Sequence, residues 1–412
     1  MDRRHFIRLA GGGTLAVAAL PMAGCSPAYP EAAVAAWQGP GDEPDLRRWA
    51  LAHAILAPNS HNRQPWLVDL READAITLYV DRERLLPETD PWFRQIMVSQ
   101  GTFLEALLLA LAERGVQAQL QLFPAGEGPA RTLDERPVAR ITWRTGAPPV
   151  RDALFAQIRR RHTAKVAYDT ARPVDAQVLQ ALGAAAVIDN GGNGGIGEVG
   201  EIGNAGAADT ARPAAVRFGG TVDATALPAL RTLCLESARV ELSTARTVME
   251  SLRLTRIGPA EIDRHRDGIS INAAFPRLMA AVGLFDRSQP PAPGSAGFNA
   301  MIDRYKDHSA TAMGFVWLST PVVPGATRRA EVSAGRAYLR LHLKATELGL
   351  QVHPMSQAPQ EFAEMQPFYA ELHRLTTGRP PEEEVVQMFC RIGYCAAQPH
   401  TPRRALASFV KV

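Results

Sequence analysis

The densest polar chemistry of the chain lies in Ala57-Pro58-Asn59-Ser60-His61-Asn62-Arg63-Gln64-Pro65-Trp66. Pro58 ends any helix that precedes it, and Pro65 stiffens entry into the next element. Between them Asn59, Ser60, Asn62 and Gln64 offer short side chains that donate and accept hydrogen bonds. Such groups suit the polar edge of a flat ring ligand, a flavin for example, with an apolar floor beneath the rest of the ring. The plainer alternative is a polar turn leading into a strand. A second cluster, Arg159-Arg160-Arg161-His162-Thr163-Ala164-Lys165, is cationic. Consecutive arginines on a helix cannot all face one side. One or two guanidinium forks can grip a dianionic phosphate, and the alternative is a solvated basic helix end.

Other signals carry less. Gly195-Ile196-Gly197-Glu198-Val199-Gly200 fits G-x-G-x-x-G, but it lies in a glycine-rich run with no amphipathic helix after it. The ten histidines show no H-E-x-x-H spacing, so no metal is expected. Ser60-His61 is not a hydrolase elbow, because glycines do not flank the serine. Glu382-Glu383-Glu384 reads as a solvated stretch. Of the four cysteines, Cys234, Cys390 and Cys395 read as buried thiols rather than a disulfide framework.

These segments need elements to hold them. Leu46, Trp49, Ala50 and Ala54 share a helical face that starts near Asp45 and stops before Pro58. Strand-like runs come next at 66–70 and 75–81, then a long helix at 96–115, and strands at 118–123 and 138–143. Pro148-Pro149 closes this half. The rest reads as helices near 152–161 and 175–186, a Gly-rich insertion at 189–210, a helical region near 225–255 and an irregular stretch at 256–300. It continues as strand 313–320, helix 331–349, strand 351–355, helix 359–376 and strand 385–394.

A repeat links the two parts. Ser99, Gly101, Leu107, Leu109, Glu113, Gly115 and Gln117 recur, without a gap, as Ser333, Gly335, Leu341, Leu343, Glu347, Gly349 and Gln351. Both segments read as helices that end in Gly and lead into a strand. Alanine- and leucine-rich helices match one another cheaply, so the agreement of the flanking elements carries weight. The pattern predicts a duplicated α+β unit, a dimer made within one chain.

The 57–66 segment resembles the Pro-Ser-x-x-Asn-x-Gln-Pro-Trp segment of the nitroreductase superfamily, with Pro58, Ser60, Asn62, Gln64, Pro65 and Trp66 matching and Asn59 standing where Ser is usual. The 159–165 cluster resembles the Arg-Arg-Ser-x-Arg segment that grips the phosphate of flavin mononucleotide (FMN) in that family. Arg391-Ile392-Gly393-Tyr394, with Arg403 in the Pro-rich tail after it, resembles the family's closing strand and phosphate-gripping tail. Pro354-Met355-Ser356-Gln357 resembles its loop that offers a backbone N–H to flavin N5. The ring-holding turn lies only in the first part and the arginine segments only in the second. That distribution is similar to the Acg-type subfamily, in which two nitroreductase-like halves share one chain.

The resemblance implies an α+β pseudo-dimer: linker 26–44, first half 45–150, and second half 151–412 with insertion 189–210 and a lid at 256–300. It implies about one FMN per chain, held by Asn59, Ser60, Asn62, Gln64, Pro65, Arg160, Arg161, Thr163, Lys165, Met355, Ser356, Gln357 and Arg403. The expected activity is electron or hydride transfer through that flavin between a donor and an acceptor not identified by the sequence, in a monomer. The alternative is a flavin-sequestering or storage protein without turnover.

Asp2-Arg3-Arg4-His5-Phe6-Ile7-Arg8 resembles a twin-arginine export motif, followed by a weakly apolar stretch and then Met22-Ala23-Gly24-Cys25, which resembles a lipobox. Residues 1–25 are therefore read as a targeting segment. The protein is expected to be exported, free in the periplasm or anchored by lipid on Cys25. With a formal charge of +3 on 412 residues, nothing points to nucleic acid.

Overall fold

The computed structural model describes residues 28–143, 151–187, 215–283 and 285–411. The expected export segment, Pro148-Pro149 and the insertion 189–210 lie outside the described residues.

The chain begins with α1 (Glu31–Val34) and α2 (Leu46–Ala54), then β1 (Trp66–Asp69), β2 (Ala75–Val80), α3 (Arg94–Glu113), β3 (Ala118–Leu122) and β4 (Ala139–Trp143). It continues with α4 (Ala176–Ala185), β5 (Arg217–Thr221), α5 (Leu227–Ser243), α6 (Ala245–Arg253), β6 (Thr255–Ile257), α7 (Gly258–His265), β7 (Ile269–Ile271), α8 (Ala274–Ala281) and α9 (Ala296–Ala310). The last elements are β8 (Gly314–Pro321), α10 (Thr327–Glu347), β9 (Gln351–Pro354), α11 (Gln366–Thr376) and β10 (Glu384–Gly393).

Two four-stranded sheets result, ordered β1-β2-β4-β3 and β5-β8-β10-β9, with every neighbouring pair antiparallel. The orders correspond: β2–α3–β3 answers β8–α10–β9, β4 answers β10, and the edge strand β1 answers β5. The connections differ. β1 turns into β2 within a short hairpin, whereas β5 reaches β8 through α5 to α9 and the two-stranded parallel ribbon β6-β7.

The helices α3 and α10 form the seam between the halves and the most extensive helix pair in the molecule. α3 is long and apolar enough to cross a membrane, but almost every residue of it is buried within the protein. Gly101 and Gly335, equivalent in the repeat, meet across the seam. A Cβ on either would lie 2.9 Å from the other's Cα and run into the carbonyl of Val332 or of Val98. Glu105 of α3 is buried against Arg336 and Arg340 of α10, each at 2.9 Å. Both helices end in one motif. Gly115 and Gly349 take φ of 74° and 68°. The next N–H groups, of Val116 and Leu350, reach back to Leu111 and Ala345 at 3.0 and 2.8 Å.

Several sequence expectations change. The helix expected at 152–161 is a 3-10 turn, Ala153–Gln157, capped by Asp152. The region near 225–255 breaks at Thr244, whose extended backbone separates α5 from α6. The helix expected from 359 begins at Gln366. Residues 256–300 are not irregular; they carry α7, β7, α8 and the start of α9. β5 is hidden in the sequence because Gly219 and Gly220 interrupt its apolar pattern, yet Gly219 is required: a Cβ there would enter the Trp317 ring.

The arm expected as a linker is docked rather than free. Trp37 is buried and stacks on His400 at 4.1 Å, and the Ala33 carbonyl accepts the Arg403 backbone N–H at 2.9 Å. The tail crosses the seam in the opposite sense. Val410 pairs with Val68 at the edge of the first sheet, and Phe409 belongs to the first half's core.

Candidate functional site

The 57–66 turn joins α2 to β1 in strained backbone. His61, Asn62 and Gln64 take φ of 46°, 52° and 53°, three of the six non-glycine residues with positive φ among those described. Such conformations cost of order 1–3 kcal/mol each and persist only where surroundings enforce them. Here the turn's own side chains do so. Asn59 Oδ1 accepts the Gln64 N–H at 2.7 Å. Gln64 Nε2 donates to the carbonyls of Asn62 (3.2 Å) and Arg266 (2.8 Å), and its Oε1 accepts the Arg404 N–H at 2.9 Å. Asn62 Nδ2 donates to Pro402 O at 3.0 Å. Ser60 is engaged as well: its N–H goes to Ser99 Oγ and its hydroxyl to Gln95, both at 3.1 Å. The Pro65 carbonyl accepts from Gln100 at 2.7 Å. The amides expected to face a ring ligand also shape the turn. The side chain that the turn leaves without a partner is His61, whose Nδ1 is buried and unpaired.

Arg161 and Arg403 converge on this turn from the second half. Arg161 donates to Leu56 O at 2.8 Å. Arg403 donates to Ile55 O (2.8 Å), Leu56 O (3.1 Å), Ala57 O (3.2 Å), Asn62 Oδ1 (2.7 Å), Thr401 Oγ1 (2.7 Å) and Pro402 O (3.0 Å). Two buried guanidiniums thus serve the unsatisfied carbonyls at the C-terminus of α2, where positive charge also suits the helix dipole. Neither forms an ion pair with a carboxylate among the described residues. Burial lowers the Arg161 pKa to about 10, and burial with Arg161 as neighbour lowers that of Arg403 as well. Arg403 was expected to grip a phosphate. In the structure its N–H groups are all engaged by neutral acceptors. Arg160 is exposed on the surface beside the Trp37 arm.

Lys165 is the better placed cation. It is exposed, and its ammonium has no hydrogen-bond or ion-pair partner among the described residues. Burial, then Arg304, lowers its pKa to about 8, with Glu241 opposing. His61 faces it: burial, then Lys165 and Arg63, bring the imidazole down to about 4, so it is neutral near pH 7. The insertion between β5 and β8 brings Glu241 and Arg304 within electrostatic reach of Lys165. Glu241 of α5, its carboxyl raised by burial, accepts from Gln360 at 2.8 Å. Tyr305 of α9 accepts from Gln357 Nε2 at 3.0 Å, leaving Gln357 Oε1 buried and unpaired. Beneath Lys165, its carbonyl meets His308 Nε2 at 3.0 Å. Arg391 donates to His353 Nδ1 (2.9 Å), His308 O (2.9 Å) and Val166 O (2.7 Å). Thr163 is half-buried, with no side-chain hydrogen bond among the described residues.

The 354–357 loop is joined to α9 through that Gln357–Tyr305 bond. Met355 N–H bonds to Phe389 O at 2.8 Å and is not available to a ligand, which removes it from the expected donors. The N–H groups of Ser356 and Gln357 make no hydrogen bond among the described residues. His61, Glu241 and Tyr305 are not marked by any sequence pattern. His61 sits at a position the motif leaves open, and the other two belong to helices with no motif at all.

Residues 266–268 clip onto the back of the turn. Gly268 N–H donates to Asn62 O at 3.2 Å. Asp267 binds Arg63 (3.3 Å), Arg84 (2.9 Å) and Arg256 (2.9 Å). Arg94, at the start of α3, ties the first half to Glu361 and to the carbonyl of Pro359.

No family model matches the chain. Among curated proteins, one from Mycobacterium tuberculosis that carries a provisional NAD(P)H nitroreductase name, acg, is 30% identical over 100 residues, 24% of this chain and 30% of the relative. A second from that organism, also provisionally named an NAD(P)H nitroreductase, is 34% identical over 122 residues, 29% of this chain and 33% of the relative. The chain thus spans about 30% of the length of the curated relatives it matches. Among solved structures, the FMN- and NADPH-dependent nitroreductase NfnB of a Sphigopyxis strain is similar at 15% identity, covering 63% of this chain and 99% of its own, with a TM-score of 0.37. NfnB of Mycobacterium smegmatis in complex with NADPH is similar at 16% identity, 62% and 96% coverage, and a TM-score of 0.36.

Proposed function

We propose that this chain is an FMN-binding oxidoreductase of the nitroreductase superfamily, with one flavin held where the 57–66 turn meets Lys165 and the 356–357 loop. The observation that carries the reading is the company these groups keep. A strained turn from the first half faces cations of the second half that no carboxylate among the described residues neutralises. Two cations without a carboxylate partner suit a dianionic ligand, and a phosphate monoester supplies that charge. In this reading Lys165 and Arg161 would hold the phosphate, and Thr163 and the turn backbone with His61 would contact the rest of the cofactor. The N–H of Ser356 or Gln357 serves the ring nitrogen at which charge develops on reduction. Bound FMN would supply the redox chemistry.

The halves are 45–150 and 151–412, with the 256–300 segment as a lid that 266–268 latch to the turn. Residues 1–25 direct export, and Cys25 carries lipid. A second reading, flavin sequestration without turnover, draws on that latch and on the docked 28–44 arm, which both restrict access.

The test is an absorption spectrum of the purified chain with flavin extraction, mass identification and quantitation. We expect about one FMN per chain. A colourless protein that takes up no FMN refutes the proposal, and two flavins refute the single site. Bleaching by NADPH with recovery on adding a quinone or nitroaromatic supports turnover, whereas bleaching by dithionite alone supports sequestration.

A further inference from the structure

We propose that the exposed apolar face of α8 is a membrane-docking patch that lies in the bilayer interface beside the lipid on Cys25. The inference rests on the reading of Cys25 as lipidated. α8 contains no buried residue. Phe275, Leu278 and Val282 are 62%, 56% and 57% exposed and recur at i, i+3 and i+7, so they share one face. They are three of the seven large hydrophobic residues exposed among those described. Such clusters on a soluble surface mark interaction sites.

The occupant follows from where the chain's anchor must lie. Asn272, just before α8, donates from Nδ2 to the carbonyl of Ala28 at 3.0 Å, and α1 packs against α7 in the same region. Two residues separate Cys25 from Ala28, so their Cα atoms are at most about 10 Å apart however the segment runs. An acylated cysteine sits at the headgroups. The start of α8 is therefore held within roughly 10–15 Å of them. A helix of this length, about 12 Å, can lie flat in the interface with its apolar side down. Arg277 is exposed on α8 and has no ion pair among the described residues, which suits anionic headgroups. The anchor and the patch then act as two weak membrane signals on one surface, and the pair gives a fixed orientation that a single lipid chain does not.

The test uses the full-length chain, purified from membranes of an exporting host, with lipid on Cys25 checked by mass. Leu278→Cys in a Cys395→Ser background carries an environment-sensitive fluorophore, and Lys306→Cys carries it in a control. Each is mixed with phosphatidylethanolamine–phosphatidylglycerol vesicles and floated. We expect flotation of both, with a blue shift and brominated-lipid quenching for the label at 278 and not at 306. Flotation without a shift at 278 overturns the patch and leaves the anchor standing. A protein without lipid on Cys25, which neither floats nor shifts, overturns both. A label already shielded before vesicles are added means that another part of this chain or a second copy covers the face, which also overturns the proposal.

Discussion

Arg403 and Arg161 are both buried guanidiniums at the end of α2, yet they do different work. Arg403 engages three successive carbonyls, of Ile55, Leu56 and Ala57, and fixes Asn62. Removing it strips Ile55 O of its donor in the interior and leaves Leu56 O to Arg161 and Ala57 O to Asn59 alone. Arg403→Met should therefore lower stability by about 3 kcal/mol, read as a shift in urea midpoint. Arg161 serves one carbonyl and repels its neighbour, so Arg161→Met should cost under about 1 kcal/mol while weakening FMN uptake. Lys165 predicts a pH dependence. Its folded pKa, about 8, lies below the ordinary lysine value, so the ammonium is charged below that pH and neutral above it. Affinity for FMN should be highest below pH 8 and fall as pH rises through 8. In Lys165→Met the affinity should be weaker, and the fall between pH 7 and 9, followed by flavin fluorescence, should vanish. A fall unchanged in the variant would remove Lys165 from the phosphate site. At this scale the sequence was legible in residue type and not in partner. Asn62 and Gln64 stood out as polar side chains in a turn. Their partners, Pro402 to Arg404, come from the far end of the chain, and no local pattern could show that the amides were already satisfied.

Among the elements, the seam of α3 and α10 depends on backbone approach. Gly101→Ala should push Val332 and its helix away, destabilising the protein by more than about 3 kcal/mol in thermal or urea unfolding. Gly335→Ala should cost a similar amount, because each Cβ meets the opposite helix in the same way. The double variant should cost less than the sum, since one displacement relieves both clashes. Equal and fully additive losses would mean that the glycines act on separate contacts. Both helices were readable from periodicity and from their terminal glycines, and the central glycines hinted at the seam. β5 was not readable, since Gly219 and Gly220 are chosen by the ring of Trp317 rather than by strand propensity. The helices of 256–300 were also obscured. α8 is short and buries none of its residues, so its apolar face has no core partner to betray it.

For the whole molecule, the repeat announced a duplicated unit, and the two sheets share one strand order. What the repeat could not announce is how the copies exchange ends. The tail after Arg403 returns to the first sheet, and the arm before α2 closes over it. The proposed single-flavin stoichiometry belongs to this scale. Among the described residues, only one of the two related positions combines the turn of one half with the cations of the other. The opposite corner, where β5 leads into the long insertion, has no second Asn-x-Gln-Pro turn in the sequence.

Gly101 and Gly335 touch within one polypeptide, and a homodimer would make that contact between two. A shared site in a homodimer comes apart on dilution, at a concentration set by its dissociation constant. Here the opposing surfaces are covalently joined, so the seam has no such constant and its local concentration stays fixed at any dilution. A protein sent singly to a cell surface would keep a cofactor between its halves there, with no second copy required.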